Sequence, residues 1–461
     1  MLFNSHIFML LFLPLLLAGW YFLNWKKKFQ LAQGYLIGMS LWFYAYANLQ
    51  YLWLLLFSCL IGWLLSCLPE KIFSEKGKKV LTGVGCVFHL GLLGYFKYSN
   101  FFLENLNTVF HTDFPMLQIL LPVGISFYTF QQLAYLIDRC RGDAPRDSFF
   151  DYLTFMVYFP QLLQGPILLR SEFMGQLKEP ERRRFHAERF SEGIQFFVFG
   201  LAKKVLLADT LAKAVNYGYS NVSMLDSISA LLLAVGYLTE LYFDFSGYCD
   251  MAIGLGKMIG LEVAENFDAP FHSASVKEFW RRWHMTLGRF FTRYVYIPLG
   301  GNRRGKMRTL CNVMIVMLLS GLWHGAAWTF VLWGFLHGVG MIWDNLEHPH
   351  LPKKWMRQAA TFAYVCMTFV FFRAESIAQG VDVLKSIVSV KWNGFVFQMA
   401  SALDMTECYM ITKALSMKLP GLLSWFWLGI FVVLIAICFR VLSGEKVSVV
   451  VALQRQKGYF L

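Results

Sequence analysis

The chain has 461 residues, of which 57% are hydrophobic, 18% aromatic and only 15% charged. Water-soluble domains carry about 25% charged residues, so this chain lacks the polar surface to coat a soluble globule, and its mean hydropathy of +0.48 agrees. The formal charge of +13 does not call for nucleic acid, because the basic residues gather in short loops between apolar runs, where they set topology and meet anionic lipid.

The first apolar run, Ile7–Phe22, has no positive charge before it and Lys26-Lys27-Lys28 directly after it. A cleaved signal peptide has the reverse arrangement, and charges that follow a span place its N-terminus outside. Further apolar runs occur at Leu31–Leu68, Val80–Phe96, Ile228–Tyr242, Leu310–Leu319, Phe362–Phe372 and Trp425–Phe439. Each is apolar enough to contribute to spans of ~20 residues.

The loops test this orientation. Lys71–Lys79, Arg139 to Arg146, Arg281–Arg308, Lys353 to Arg357, and Lys446, Arg455 and Lys457 are basic and read as cytoplasmic. Glu104–Phe114 and Asn216–Ser227 contain no Lys or Arg and read as outer loops. The alternation gives about eleven crossings, with the N-terminus outside and the C-terminus in the cytoplasm. Phe190–Ala208 carries Lys203 and Lys204 and fits an interfacial helix as well as a span.

The expected architecture is an all-α polytopic membrane protein with one domain over residues 1–461. Its mixed segment at 375–420 is expected to be a peripheral helical insertion on the outer side. No internal repeat is evident, unlike many secondary transporters. The nine cysteines are scattered without a Cys-x-x-Cys pair, so no metal site or disulfide framework is expected.

Two apolar segments are interrupted by Gly, Pro and Gln: Leu121-Pro-Val-Gly-Ile-Ser-Phe-Tyr-Thr-Phe-Gln131 and Tyr158-Phe-Pro-Gln161-Leu-Leu-Gln-Gly-Pro166. Irregular backbone at membrane depth is tolerated only where protein buries it or where it lines a cavity. The second segment reads equally as re-entrant or as a Pro-kinked helix.

The chemistry concentrates later in the chain. Gly321-Leu-Trp323-His324-Gly325 sets an imidazole inside an apolar span read as Leu310–Trp333. A titratable group at that depth is costly, and imidazole suits proton transfer near neutral pH. His324 lies roughly 20 Å along the helix from Leu310, past the middle of a ~30 Å core. The flanking glycines leave room for a substrate or for another backbone.

His284 sits in Glu278-Phe-Trp280-Arg281-Arg282-Trp283-His284, an aromatic and cationic stretch read as cytoplasm-facing. Its arginines and tryptophans could grip a phosphate-bearing acyl donor, or simply form an interfacial belt. Glu278 is spaced to pair with Arg281 or Arg282. His337 follows His324 by thirteen residues. On one continuous helix the two imidazoles would be about 20 Å apart, so they can meet only if the chain breaks between them. A structural role is therefore expected for His337. Glu240, Asp244 and Asp250 could orient imidazoles or, more readily, hold arginines such as Arg281 and Arg282. His348 and His350 stand in a short polar loop without supporting ligands.

With no serine nucleophile elbow, Walker loop or dinucleotide glycine motif, the available chemistry is histidine-based acid–base catalysis. Acyl transfer from a thioester to a hydroxyl suits it.

At these residues the sequence resembles the membrane-bound O-acyltransferase family, in its bacterial polysaccharide O-acetylation branch. The resemblance covers most of the chain. It is carried by the two interrupted segments together with Tyr242-Phe-Asp244-Phe-Ser-Gly-Tyr, Asn266-Phe, Phe279-Trp-Arg-Arg-Trp-His284, Tyr296-Ile-Pro-Leu-Gly-Gly-Asn-Arg and Gly321-Leu-Trp-His-Gly-Ala. Cys249 stands where similar sequences usually have Ser.

The resemblance implies that His324 is the essential histidine and His284 the second catalytic histidine. It implies a ring of helices, some of them re-entrant or interfacial, around a central tunnel. It implies acetyl-CoA, or an acylated carrier, as the donor substrate on the cytoplasmic side, no tightly bound cofactor, an exported partner acetyltransferase and a cell-envelope polysaccharide acceptor, in the bacterial cytoplasmic membrane. Trp280, Arg281, Arg282, Trp283, Trp323, Asp244, Asp250 and Gln161 are the expected donor- or substrate-binding residues. The alternatives are an acyl-group transporter without bond chemistry and a D-alanyl transferase fed by a carrier protein.

Overall fold

Polar punctuation decides where the helices of this apolar chain begin and end. In the computed structural model, residues 1–47, 49–67, 75–346, 352–403, 410, 413–414 and 424–433 are described. Every regular element among them is helical, and the one β-bridge is the isolated pair Phe267 and Trp283. The basic residues Lys71, Lys446, Arg455 and Lys457, the pair His348 and His350, and the apolar run beyond Val433 lie outside the described residues.

The helices follow in order: α1 (Leu13–Trp25), α2 (Phe29–Ala47), α3 (Leu52–Cys67), α4 (Glu75–Leu93), α5 (Ser99–Phe110), α6 (Ile125–Arg141), α7 (Phe149–Val157), α8 (Phe159–Leu162), α9 (Arg170–Leu177), α10 (Ala187–Ala202), α11 (Asp209–Ser220), α12 (Ser227–Met258), α13 (Val276–Arg282), α14 (Met285–Phe291), α15 (Lys306–His324), α16 (Trp328–Trp343), α17 (Lys354–Arg373), α18 (Ile377–Val388) and α19 (Phe395–Ser401). Hydroxyl caps start three of them. Ser148 accepts from the Asp151 amide, Ser275 from Glu278 and Ser376 from Gln379. At the other end of α6, Gly142 takes a left-handed φ of 81° and closes the helix with its amide on the Arg139 carbonyl.

Among the described residues, five helical stretches are long and apolar enough to cross a membrane: Phe8–Trp25, Leu49–Cys67, Lys76–Phe110, Ser227–Met258 and Lys306–His324. Trp328–Trp343 and Ser424–Val433 are shorter apolar helices. The third stretch corrects one expectation. Glu104–Phe114 is not a loop over most of its length, because a π-helical turn at Gly94–Tyr98 joins α4 to α5 and keeps the chain helical to Phe110.

The chain divides into two compact units. The first comprises Met1–Phe199, Tyr248–Glu265 and Arg289–Tyr294. Phe3, Phe8, Phe12, Phe43 and Phe159 pack ring against ring at its centre. Ion pairs fasten it elsewhere: Arg170 to the buried Asp147, Arg293 to Asp138 at 3.0 Å, and Arg289 to Glu172. Breaking either of the first two would leave a buried carboxylate uncompensated.

Both interrupted segments lie in this unit. The first is non-helical up to Gly124, whose φ is 76°, and helical from Ile125. In the second, α7 ends at Val157, one short turn follows over Phe159–Leu162, and the chain then runs irregular but largely buried to Leu169. The two meet at Gly124, where any Cβ would collide with the Leu162 carbonyl oxygen, so glycine is required twice over.

The second unit comprises Gly200–Gly247, Asn266–Gly288 and the described residues from Val295 onward. Its core joins α11, α12, α13, α16, α17, α18 and α19 through side chains such as Leu238, Phe279, Trp333, Phe369, Val383 and Met399. Within 375–420 the described residues form α18 and α19 with an irregular link between them, and Asp226 ties that link down by accepting from the Asn393 and Gly394 amides at 3.2 and 3.1 Å.

Candidate functional site

The helix carrying His324 does not continue as one span to Trp333, as the sequence suggested. It ends at His324, Gly325 adopts extended backbone, and α16 starts at Trp328. The two helices then pack as a tight hairpin. A Cβ at Gly321 would collide with the Phe330 carbonyl oxygen, and one at Gly338 would lie 2.7 Å from the Met314 sulfur. The room beside Gly321 is therefore filled by another backbone.

This break is what the sequence argument required for the histidines to meet. His324, at the end of α15, sets its ring 5.2 Å from Trp333 on α16, in an edge-to-face arrangement. Trp333 in turn lies 4.8 Å from His337. On the other side, Trp323 stands 4.9 Å from His324 and 6.1 Å from His284. One aromatic cluster of the second unit thus holds all three imidazoles, with an indole between each successive pair. Phe372 closes it, 5.0 Å from His324.

The three histidines differ in access and partners. His284 and His337 are buried, at 2% and 0% exposure, whereas His324 is half-buried. His284 has a left-handed φ of 46° in the break between α13 and α14. That strained backbone is held by Asn266, whose Oδ1 accepts from the Thr286 amide at 3.0 Å and the Thr286 hydroxyl at 2.9 Å. The same oxygen lies 3.2 Å from His284 Nδ1. An oxygen already accepting two bonds can only accept again, so the network assigns the proton to Nδ1 and leaves the lone pair on Nε2. The segment lies outside the candidate spans, and burial pushes the His284 imidazole down to about 3. It is a neutral hydrogen-bonding group rather than a strong base.

His337 has the opposite tautomer. Its Nδ1 accepts from Trp280 Nε1 at 3.2 Å, so its Nε2 donates to the Thr368 hydroxyl at 2.9 Å, which donates onward to the Val365 carbonyl. Both ring nitrogens are used, which suits the expected structural role.

The remaining sequence candidates separate. Trp280, Trp283 and Trp323 belong to the cluster; Trp280 orients His337, and Trp283 stacks on Phe279 at 5.3 Å. Arg282 is committed to Glu278 at 3.0 Å and to the Asp268 carboxylate at 3.8 Å. Arg281 is exposed. The expectation that Asp244 holds Arg281 or Arg282 is corrected: Asp244 pairs with Lys204, which also binds Asp209 at 2.8 Å. Gln161 and Asp250 belong to the first unit, whereas the histidines belong to the second. Gln161 Nε2 donates to the Phe155 carbonyl left free by the break at Tyr158. Its Oε1 is buried without a hydrogen-bond partner among the described residues.

Sequence reasoning passed over Trp333 and Thr368, and it gave Asn266 no role. Asn266 stood in a matched motif, but Thr368 lies inside an apolar run and gave no signal.

A half-buried histidine at a helix end, beside a second, neutral imidazole in an aromatic cluster, has the groups that general-base chemistry on a hydroxyl uses. Comparison with known proteins gives the reaction class, acyl transfer. A family model described as the membrane-bound O-acyltransferase family matches residues 142–379. The chain belongs to the membrane-bound O-acyltransferase family. It is 35% identical over 423 residues to the peptidoglycan O-acetyltransferase of Helicobacter pylori, covering 85% of this chain and 80% of that one. It is 40% identical over 389 residues to a probable alginate O-acetylase of Azotobacter vinelandii, covering 82% of this chain and 76% of the relative. A teichoic acid D-alanyltransferase of Streptococcus thermophilus is more distant, at 28% identity over 52% of this chain. The protein is thus a multi-pass membrane acyltransferase of an O-acetylating family. All three imidazoles of the cluster fall inside the matched region.

Proposed function

We propose that this acyltransferase moves an acetyl group from acetyl-CoA, on the cytoplasmic side, to or toward an exported cell-envelope polysaccharide. Transfer is direct or is completed by an exported partner acetyltransferase. In this reading the whole chain is one functional membrane domain of about eleven crossings. Its helices ring a central tunnel in the bacterial cytoplasmic membrane, the N-terminus is outside, and 375–420 lies on the outer side.

His324 is the general base. Its imidazole takes the proton of the acceptor hydroxyl as that oxygen attacks the thioester carbonyl. The C–S bond breaks as the C–O ester bond forms, and the imidazolium returns its proton to the departing thiolate. His284 positions donor or acceptor through the lone pair on Nε2, and exposed Arg281 is placed to meet donor phosphates. The observation that carries this reading is the contrast in access: His324 is half-buried, whereas its two neighbouring imidazoles are sealed.

The test is acetyl transfer by purified protein in nanodiscs, with a glycan acceptor and either acetyl-CoA or an acylated phosphopantetheine carrier protein. Turnover with acetyl-CoA supports the proposal. Turnover only with a D-alanylated carrier protein would replace it with the D-alanyl transferase reading.

A further inference from the structure

Glu240 lies midway along α12, one turn after Tyr237 and one turn before Asp244. Its Oε2 is buried and has no hydrogen-bond partner among the described residues. A carboxylate within a candidate span is costly, and an unpaired one calls for an explanation. The surroundings contain a second orphan: the hydroxyl of Tyr219, a residue only 4% exposed, is likewise buried without a partner.

Arg373 joins them. Its guanidinium lies over the Tyr219 ring, 5.0 Å from the centroid, and donates to Asn216 Oδ1 at 2.8 Å. It is also the cation nearest in electrostatic effect to Glu240 and to Tyr219, yet it forms no ion pair with Glu240. Tyr237 packs edge-on against Tyr219, with centroids 6.1 Å apart. This cluster is not isolated from the histidines: Phe372, the residue before Arg373, rests on His324.

We propose that Glu240, Tyr219 and Arg373 form the subsite that binds the sugar of the hydroxyl acceptor and presents it to His324. The inference rests on the acetyltransferase reading and specifies which residues recognise the acceptor. A carboxylate oxygen and a phenol oxygen lack partners among the described residues, and a guanidinium lies over the Tyr219 ring. Adjacent sugar hydroxyls both donate and accept, so they complement that set. Tyr219 and Tyr237 add the aromatic wall against which a sugar ring packs. The subsite is built from chain segments about 130 residues apart in sequence, and no metal is required.

The test uses the full chain in nanodiscs, with a de-acetylated oligomannuronate and an N-acetylglucosamine–N-acetylmuramate oligosaccharide as probes. Glu240→Gln and Tyr219→Phe keep the shapes and remove the polar groups. Each is expected to weaken oligosaccharide binding and raise the acceptor KM about tenfold or more, while acetyl-CoA hydrolysis without acceptor stays within about twofold of wild type. Oligosaccharide binding unchanged in both variants overturns the subsite. Binding is read without turnover, so the outcomes separate. Loss of binding in a protein that transfers no acetyl group retains the subsite and sinks the acetyltransferase reading. Should Glu240→Gln fail to fold, Tyr219→Phe carries the test alone.

Discussion

Asn266 Oδ1 lies 3.2 Å from Nδ1 of His284, and this contact fixes both the tautomer and the direction of that imidazole. The two residues are 18 positions apart, and the isolated bridge between Phe267 and Trp283 brings their strands of backbone together. Asn266→Ala strands the Thr286 amide and hydroxyl in a buried setting and frees His284 to rotate. The expected result is a loss of about 1–3 kcal/mol of stability. Acetyl transfer per folded molecule should fall as well. A thermal melt in detergent beside an activity assay checks both, and unchanged transfer in a folded variant removes His284 from the site.

His337 makes a contrasting case. His337→Ala leaves the Trp280 N–H and the Thr368 hydroxyl with a partner missing inside the core. The melting temperature should drop, while the folded fraction keeps most of its kcat. An unaltered melt with abolished turnover would instead place His337 in the chemistry.

The hairpin of α15 and α16 depends on Gly321, which faces the Phe330 carbonyl and lies within 3.2 Å, at its would-be Cβ, of the Gly334 Cα. Gly321→Val forces these helices apart and moves His324 away from Trp333. Overpacking of this kind costs about 1–3 kcal/mol, and activity should fall further than stability alone explains. Wild-type turnover in that variant would show that the ring geometry around His324 is not limiting.

Stability should also report on His284 through pH. The folded imidazole binds its proton near 3, against an ordinary value of 6.5. Between those values the unfolded chain holds more protons, so this contribution is fully present above about 6.5 and is lost as pH falls toward 3. Denaturation of the wild type should steepen below pH 6.5, and His284→Gln should show a shallower decline over the same interval. Parallel curves would mean that His284 titrates alike in both states.

Much of this arrangement was readable from residue types alone. Gly321 and Gly325 announced a close approach at His324, the Pro and Gly residues announced the breaks at Gly124 and Tyr158, and Glu278 found Arg282 at the predicted helical spacing. These are local signals, spanning a few residues. What stayed hidden is long-range pairing. Lys204 reaches Asp244 across 40 positions, and Thr368 meets His337 across 31. Neither contact has a local pattern, because the partners sit on different helices and no short-range spacing links them. The same limit hid the turn after His324: two apolar helices joined by three residues look like one long span.

His324 carries the central claim, and one comparison tests it most directly: acetyl transfer by wild type and by His324→Gln, purified in nanodiscs with acetyl-CoA and a glycan acceptor. Gln keeps the size and hydrogen-bonding capacity of the imidazole but cannot take a proton at neutral pH. Loss of transfer by about 100-fold or more, with an unchanged melting temperature, is the predicted result. Transfer at the wild-type rate in the folded variant would contradict it and move the base elsewhere.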